Sequence, residues 1–241
     1  KILKNWAEHI WDTGIEFGTI AGKRGDTTVE ITTYRSDKYD LDSRKPEVEF
    51  GNNINGDLSR RDFAINAMAL ELTGTKPEFI DLFNGLADLS SKVLRTPVSP
   101  EQSFSDDPLR MMRAARFAAQ LNFEVADEAL AAMKNMAERI NIISAERVRD
   151  EFIKLLMSNN PRKGLEILVA TGIADLVLPE IPKLKLEIDE HHHHKDVYEH
   201  SLTVLEQAMA HEVRLGGKNL VIRLAALLHD IGKPKTRALI P

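Results

Sequence analysis

"DDPLRMMRAARFAAQLNF", residues 106–123, sets an apolar helical stripe beside three arginines spaced three apart. Leu109, Met112, Phe117, Ala118 and Leu121 recur at roughly helical intervals and predict a helix over 106–121 with one core-facing side. Asp106-Asp107-Pro108 suits its start, where acids meet the positive end of the dipole and proline loses no hydrogen bond. Arg110, Arg113 and Arg116 then fall in register. On the stretch alone two readings stand: a capped amphipathic helix with a solvated basic edge, or a helix whose arginines await a ligand. The other motifs decide between them.

The 241 residues leave room for one large or two to three small domains and a sizeable core. A net charge of −5 gives no global basic field, so any polyanion site must be local. Without cysteine there are no disulfides and no thiolate metal sites, which fits a cytoplasmic protein. No apolar run approaches the roughly 18 residues of a membrane span, and no signal-peptide pattern opens the sequence; no membrane partner is expected.

The chain changes character along its length. "KILKNWAEHIW" (1–11) reads as a short helix, and residues 16–35 as two strands joined by a Gly-Asp turn. Residues 37–57, polar and rich in Gly and Asn, read as a loop. Strand signals fade near residue 95, and helical recurrence takes over at 106–121, 126–138, 144–157, 161–171, 199–213 and 219–231. Pro179, Pro182 and the polar "EIDEHHHHKD" run mark a second boundary. The four histidines at 191–194 read as a metal site, a tag or a polar linker; their interior position argues against a tag and favours the linker. The expected domains are 1–95, 96–180 and 181–241.

"DLSRRDFAINAMAL" (57–70) places Arg60, Arg61 and Asp62 before what reads as an apolar helix. Asp62 serves as an N-cap in one reading. In the other, the arginines meet phosphate oxygens while a fixed carboxylate or the Asn66 amide holds a sugar hydroxyl; arginine's planar fork suits phosphate. "DLFNGLADL" (81–89), with Asp81 and a Gly85 turn, reads as a loop. Asp107 and Arg110, three apart, project from one helical face. A carboxylate accepts from an exocyclic amine and a guanidinium donates to ring nitrogens or carbonyls, so the pair can imitate a base-pairing edge. Arg113, one turn on, can reach a triphosphate. The alternative is an intrahelical Asp107–Arg110 pair contributing a few tenths of a kcal/mol.

In this order and spacing, "RRDFAINAMAL", "DLFNGLADL", "DDPLRMMRAARFAAQLNF" and "SAERVRDEF" resemble the class II tRNA nucleotidyltransferase / poly(A) polymerase family, with its bacterial CCA-adding branch as the nearest likeness. The four fragments span residues 57–152, and a weaker likeness runs from 1 to 241. The resemblance implies an α+β fold: an incomplete N-terminal α/β nucleotidyltransferase head of the DNA polymerase β superfamily, then an all-helical neck and body, then a helical HD domain. It implies addition of C, C and A to tRNA 3′ ends from CTP and ATP without a nucleic-acid template. Asp107 and Arg110 would pair with the incoming base, Arg113 would contact phosphate, and Arg60, Arg61 and Asp62, with Asn66, would form the ribose and triphosphate motif. Asp81 and Gly85 would belong to the segment linked to head rearrangement, and Glu146 and Arg149 would brace the neck. Glu30 in "TVEITTYR" aligns with a third carboxylate near a Mg2+ site; an outward strand glutamate is the other reading. The glycine pair, arginine-aspartate turn and Asp-x-Asp pair of the family would lie upstream of Lys1, and a two-metal transfer needs that carboxylate pair. The protein is therefore expected to be longer than 241 residues.

"DVYEHSLTVLEQA" and "RLAALLHDIGKP" put His200 about thirty residues ahead of adjacent His229-Asp230 and resemble the HD superfamily of metal phosphohydrolases. Imidazole and carboxylate suit a divalent transition metal of the Mn, Fe, Ni, Co or Zn class. The fourth ligand would lie beyond Pro241. Three rivals follow from the same residues: a poly(A) polymerase of the family using ATP alone, a non-catalytic RNA-binding relative, and an HD phosphohydrolase with a degenerate head. Oligomeric state is not legible.

Overall fold

The computed structural model describes residues 2–12, 15, 18–40, 43–50, 53–186 and 197–236. The four histidines at 191–194 lie outside them.

Helix α1 (Ile2–Trp6) gives way to strand β1 (His9–Trp11), so the helix expected over 1–11 covers only its first half. The second half is claimed by pairing: β1 runs antiparallel to β2 (Thr19–Arg24), with Ile10 opposite Gly22. At Gly22 a Cβ would stand 2.9 Å from Ala7 Cβ and 3.1 Å from Leu3, so α1 folds down onto a strand that has no side chain there. Strand β3 (Thr27–Thr32) pairs with β2 across a turn in which Gly25 takes φ +54°, completing a three-stranded sheet in the order β1-β2-β3. The expected two strands and Gly-Asp turn are thus present. The loop expected over 37–57 is instead a hairpin, β4 (Arg35–Asp40) with β5 (Ser43–Phe50), followed by helix α2 (Ile54–Ser59). Polar content misled that reading, because the ladder bonds are backbone groups that polar side chains do not oppose.

After Arg60-Arg61-Asp62 the chain makes only a 3-10 turn, Ala64–Asn66, before β6 (Met68–Glu71), where an apolar helix was expected. Ala64 N–H donates to the Arg95 carbonyl at 2.7 Å, and β6 pairs with β7 (Glu78–Asp81), which together draw the segment out of helical geometry. The "DLFNGLADL" stretch is not a loop throughout: it carries helix α3 (Gly85–Ser91), capped by the Asp81 carboxylate, which accepts from Gly85 N–H at 2.7 Å and Leu86 N–H at 2.9 Å. A Cβ on Gly85 would strike the Ala64 carbonyl and lie 2.8 Å from Met68 Cγ.

Beyond β8 (Val93–Leu94), helix α4 (Pro100–Asp106) starts on a Ser99 cap and stops before Pro108; α5 (Leu109–Leu121) begins again beyond it. The single helix expected over 106–121 therefore lacks its first turn. Asp107 is extended (φ −142°, ψ 99°), because the residue before a proline is pushed out of the helical region. Strand β9 (Glu124–Val125) pairs with β8 in parallel. Then come α6 (Asp127–Asn135), a 3-10 segment Ala137–Ile142, α7 (Ala145–Leu156), α8 (Pro161–Ala170), α9 (Ile173–Val177), α10 (Glu180–Lys183) and a 3-10 turn, Leu184–Leu186. Helices α11 (Val197–Ala210), α12 (Leu220–Leu228) and α13 (Lys233–Thr236) follow.

The core lies around α5. Ala114, Ala115, Ala118 and Ala119 are fully buried, and small residues there let α7 and α8 approach closely. A Cβ on Gly164 of α8 would meet the Ala115 carbonyl at 2.9 Å, which measures how near the two backbones come. By contrast, β3 is exposed at all six positions. No helix among the described residues is long and apolar enough to cross a membrane.

Candidate functional site

The break before α5 opens one wall of a cleft of about 560 Å³. Its lining brings together Arg60, Arg61, Asp62 and Asn66 with Asp107, Arg110 and Arg113, joined by Asp57, Arg147, Thr19 and Thr32. Residues forty to fifty apart in sequence thus meet, and each cleft carboxylate already holds an arginine. Asp57 accepts from Arg60 Nη2 at 2.7 Å and lies 3.4 Å from Arg61 Nη2. Asp62 Oδ1 accepts from Phe63 N–H at 2.9 Å and Asn66 Nδ2 at 3.0 Å; Oδ2 accepts from Arg113 Nε at 2.9 Å and also from Arg113 Nη2. Asp62 caps no α-helix. Burial pushes its carboxyl up, but the Arg113 charge and the Asn66, Arg113 and Phe63 bonds outweigh that and hold it below the ordinary carboxylate range.

Asp107 and Arg110 do not form the intrahelical pair. Asp107 is off the helix: its Oδ1 accepts from Leu109 N–H at 3.2 Å, and its Oδ2 lies 3.3 Å from Arg147 Nη2 on α7. Arg110 is 6% exposed, with Nη1 donating to Ser103 Oγ at 2.9 Å and to the Ser103 carbonyl at 3.3 Å, and Nη2 to the Arg60 carbonyl. A guanidinium has five N–H donors, so Nε–H and one Nη2–H remain for a ligand. Nor are the three arginines one edge: Arg116 is buried and donates from Nε to Glu151 at 2.5 Å, away from the cleft.

Other expected residues stand further off. Glu30 is exposed on β3, two positions from Thr32, and so shares the strand face of that cleft residue without lining the cleft. Asp81 and Gly85 sit at the α3 cap described above. Glu146 is exposed, and Arg149 pairs with its neighbour Asp150 at 2.8 Å. Arg147 and Glu151, four apart on α7, pair with Asp107 at the α4–α5 break and with Arg116 on α5. That i, i+4 spacing in "ERVRDE" was the available signal. For Asp57 the signal was its place three and four residues before the arginine pair.

The second site lies between α11 and the end of α12. His200, His229 and Asp230 offer ligand atoms within 4.8 Å of one another, the only such group of three among the described residues. His229 Nε2 is 3.1 Å and His200 Nε2 3.9 Å from Asp230 Oδ2. His229 Nδ1 is 2.9 Å from the Ala226 carbonyl, an acceptor that favours the proton on Nδ1 and leaves Nε2 facing Asp230. Lys233 Nζ, which sequence reading passed over, reaches Asp230 Oδ2 at 2.7 Å. Two imidazoles and a carboxylate suit a divalent cation of the transition series, and the Lys233 ammonium is a competitor that such an ion would displace from Asp230.

The Poly A polymerase head domain family matches residues 1–95, the family described as the probable RNA and SrmB-binding site of polymerase A matches 122–184, and the HD domain family matches 197–240. The chain is 45% identical over 172 residues to the CCA-adding enzyme of Levilactobacillus brevis, covering 71% of this chain and 43% of that one. To the CCA-adding enzyme of Streptococcus gordonii it is 40% identical over 180 residues, covering 74% and 44%. The Bacillus stearothermophilus CCA-adding enzyme in complex with CTP superimposes with a TM-score of 0.65 at 28% identity, over 92% of this chain and 52% of that chain. The chain belongs to the class II tRNA nucleotidyltransferase / poly(A) polymerase family. Another solved family structure, a tRNA nucleotidyltransferase with a primer tRNA and an incoming ATP analog, gives a TM-score of 0.69 at 25% identity, over 91% and 58%. The chain spans less than half the length of the curated relatives it matches. Head, RNA-binding and HD segments occur in that order along the chain.

Proposed function

We propose that this chain supplies the nucleotide-selecting and RNA-binding parts of a CCA-adding tRNA nucleotidyltransferase. One observation carries the reading: Asp107, Arg110 and Arg113 share a single cleft with Arg60, Arg61 and Asp62. Asp107 accepts from the exocyclic amine that cytosine and adenine both carry, and Arg110 donates its remaining N–H groups to the neighbouring ring acceptor. Uracil and guanine carry a ring N–H donor where cytosine and adenine carry that acceptor, so it meets the Arg110 donors head-on and the cleft rejects them. Arg60, Arg61 and Arg113 receive the phosphates, and Asp62 the sugar hydroxyl. Glu30, on the strand face it shares with Thr32, would contribute one carboxylate to a Mg2+ site, and the ion when bound would activate the attacking 3′-hydroxyl and neutralise the leaving phosphates. At the second site His200, His229 and Asp230 hold a divalent transition metal, whose chemistry when bound is hydrolysis of phosphate esters. The reading places the protein in the cytoplasm, with tRNA 3′ ends as its acceptor.

Asp107→Ala in the full-length protein, given labelled CTP, ATP, UTP and GTP with truncated tRNAs, should cut selection of CTP over UTP by about tenfold or more. Unchanged selection would overturn the base-reading role. Use of ATP alone by the unaltered protein would move the assignment to the poly(A) branch.

A further inference from the structure

We infer that Arg113 gates the sugar-reading carboxylate, so that the choice of ribose over deoxyribose is made only when a triphosphate is present. The inference rests on the nucleotide reading above and concerns the order of events within that cleft. A carboxylate has about four lone-pair positions. In Asp62 all four are taken: Phe63 N–H and Asn66 Nδ2 on Oδ1, and the two Arg113 nitrogens on Oδ2. A 2′-hydroxyl finds no acceptor on Asp62 until one of these donors leaves.

The donors differ in their freedom to go. Phe63 N–H is backbone beside a fully buried side chain. Asn66 is fixed within the 3-10 turn, where its carbonyl also accepts from Arg61 Nη1 at 3.1 Å. Arg113 is the exchangeable partner: a third of its side chain is exposed, it lines the cleft, and it bonds to Asp62 through side-chain atoms alone. A triphosphate offers that guanidinium a more highly charged set of oxygens, with Arg60 and Arg61 lining the same cleft. Transfer of Arg113 from carboxylate to phosphate frees Oδ2, and the ribose 2′-OH then donates into the released position. Phosphate and sugar recognition become one linked exchange. A nucleoside monophosphate, with less charge and shorter reach, leaves Arg113 on Asp62 and its sugar unread.

The test is equilibrium competition of CTP, dCTP, CMP and dCMP against a fluorescent CTP analogue on the full-length protein. CTP should bind about tenfold or more tighter than dCTP, the loss expected when a hydrogen bond to a charged acceptor is missing, whereas CMP and dCMP should bind alike. Arg113→Gln should weaken CTP and make CMP bind tighter than dCMP, since the carboxylate is then open without a triphosphate. Thermal melts confirm that the variant is folded. If CMP is preferred over dCMP in the unaltered protein as strongly as CTP over dCTP, the gate is overturned. Asp62→Asn separates the two levels: if it leaves the CTP preference intact, Asp62 does not read the sugar and the underlying assignment falls. If it abolishes the preference while CMP already discriminates, only the gate falls.

Discussion

Arg113 and Arg116 lie one turn apart on α5 and each holds a carboxylate, yet they stand in opposite surroundings. The Arg113 side chain is 33% exposed and faces Asp62 across the cleft; that of Arg116 is 9% exposed and faces Glu151, itself 5% exposed, inside the helical core. Arg116 is further fixed by Gln120 Oε1 at 2.7 Å and by the Phe117 ring 3.9 Å beneath its guanidinium. One motif of arginines three apart thus yields an exchangeable ligand and a permanent brace. What separates them is solvent. A pair whose arginine stands a third exposed in a cleft can trade that arginine for an incoming anion at little cost, because buried Asp62 keeps its bonds from Phe63 and Asn66. A pair buried on both sides strands a charge when it loses a partner.

The largest expected effect follows from the brace. Glu151→Ala removes the acceptor of Arg116 and of Lys154, which donates to it at 3.0 Å, and leaves a buried guanidinium uncompensated. Stability should fall by about 3–5 kcal/mol in chemical denaturation. Arg113→Gln at the cleft should cost no more than about 1 kcal/mol. Equal losses at the two positions would erase the distinction drawn between them.

How much of this was legible in the sequence divides along the same line. The arginine register and the helices expected over 126–138, 144–157, 161–171, 199–213 and 219–231 follow from periodicity, while α9, α10 and α13 do not. The joint site of Arg60, Arg61 and Asp62 with Asp107, Arg110 and Arg113 follows from the family resemblance of the motifs. The inward turn of Arg116 does not, because its partner lies 35 residues away and pairing across helices leaves no local mark. The Pro108 break was written in the sequence but was read as a helix start; a proline permits a first turn after it and forbids one before it. The β4–β5 hairpin and the 3-10 turn at Ala64–Asn66 were misjudged for a related reason: backbone pairing overrode local polarity and apolarity.

The HD triad supplies the intermediate effect and sharpens the comparison, since its carboxylate is held by a lysine in place of an arginine. Lys233 is half exposed and a single ammonium is an easily displaced partner for Asp230. Adding Mn2+ at a hundred times its dissociation constant should raise stability by about 2.7 kcal/mol, an increment reversed by chelator. His229→Ala should abolish the increment while leaving CTP binding at the cleft unchanged. Loss of both in a folded variant would show that the two sites are not independent.

The smallest effect is the acid response of the Asp62–Arg113 pair. Despite the opposing effect of burial, the net position of the Asp62 carboxyl is below its ordinary value, held there chiefly by the Arg113 charge and the bonds from Asn66, Arg113 and Phe63. A carboxyl whose pKa is lower folded than unfolded binds fewer protons in the native state. Its stabilisation is therefore complete above the unfolded value, about 3.9, and is lost as pH falls through the lower folded one. At neutral pH the wild-type protein should exceed Arg113→Gln by a few tenths of a kcal/mol to about 1, the range for a partly exposed pair. That difference should persist from pH 7 to about 5 and shrink towards zero as pH drops below about 4, where protonation of Asp62 makes the arginine redundant. Melting curves of the two proteins across that range measure it directly. A gap that instead widened in acid would mean that Arg113 stabilises the fold through packing on Phe117, 5.4 Å from its guanidinium, and that its bond to Asp62 is incidental.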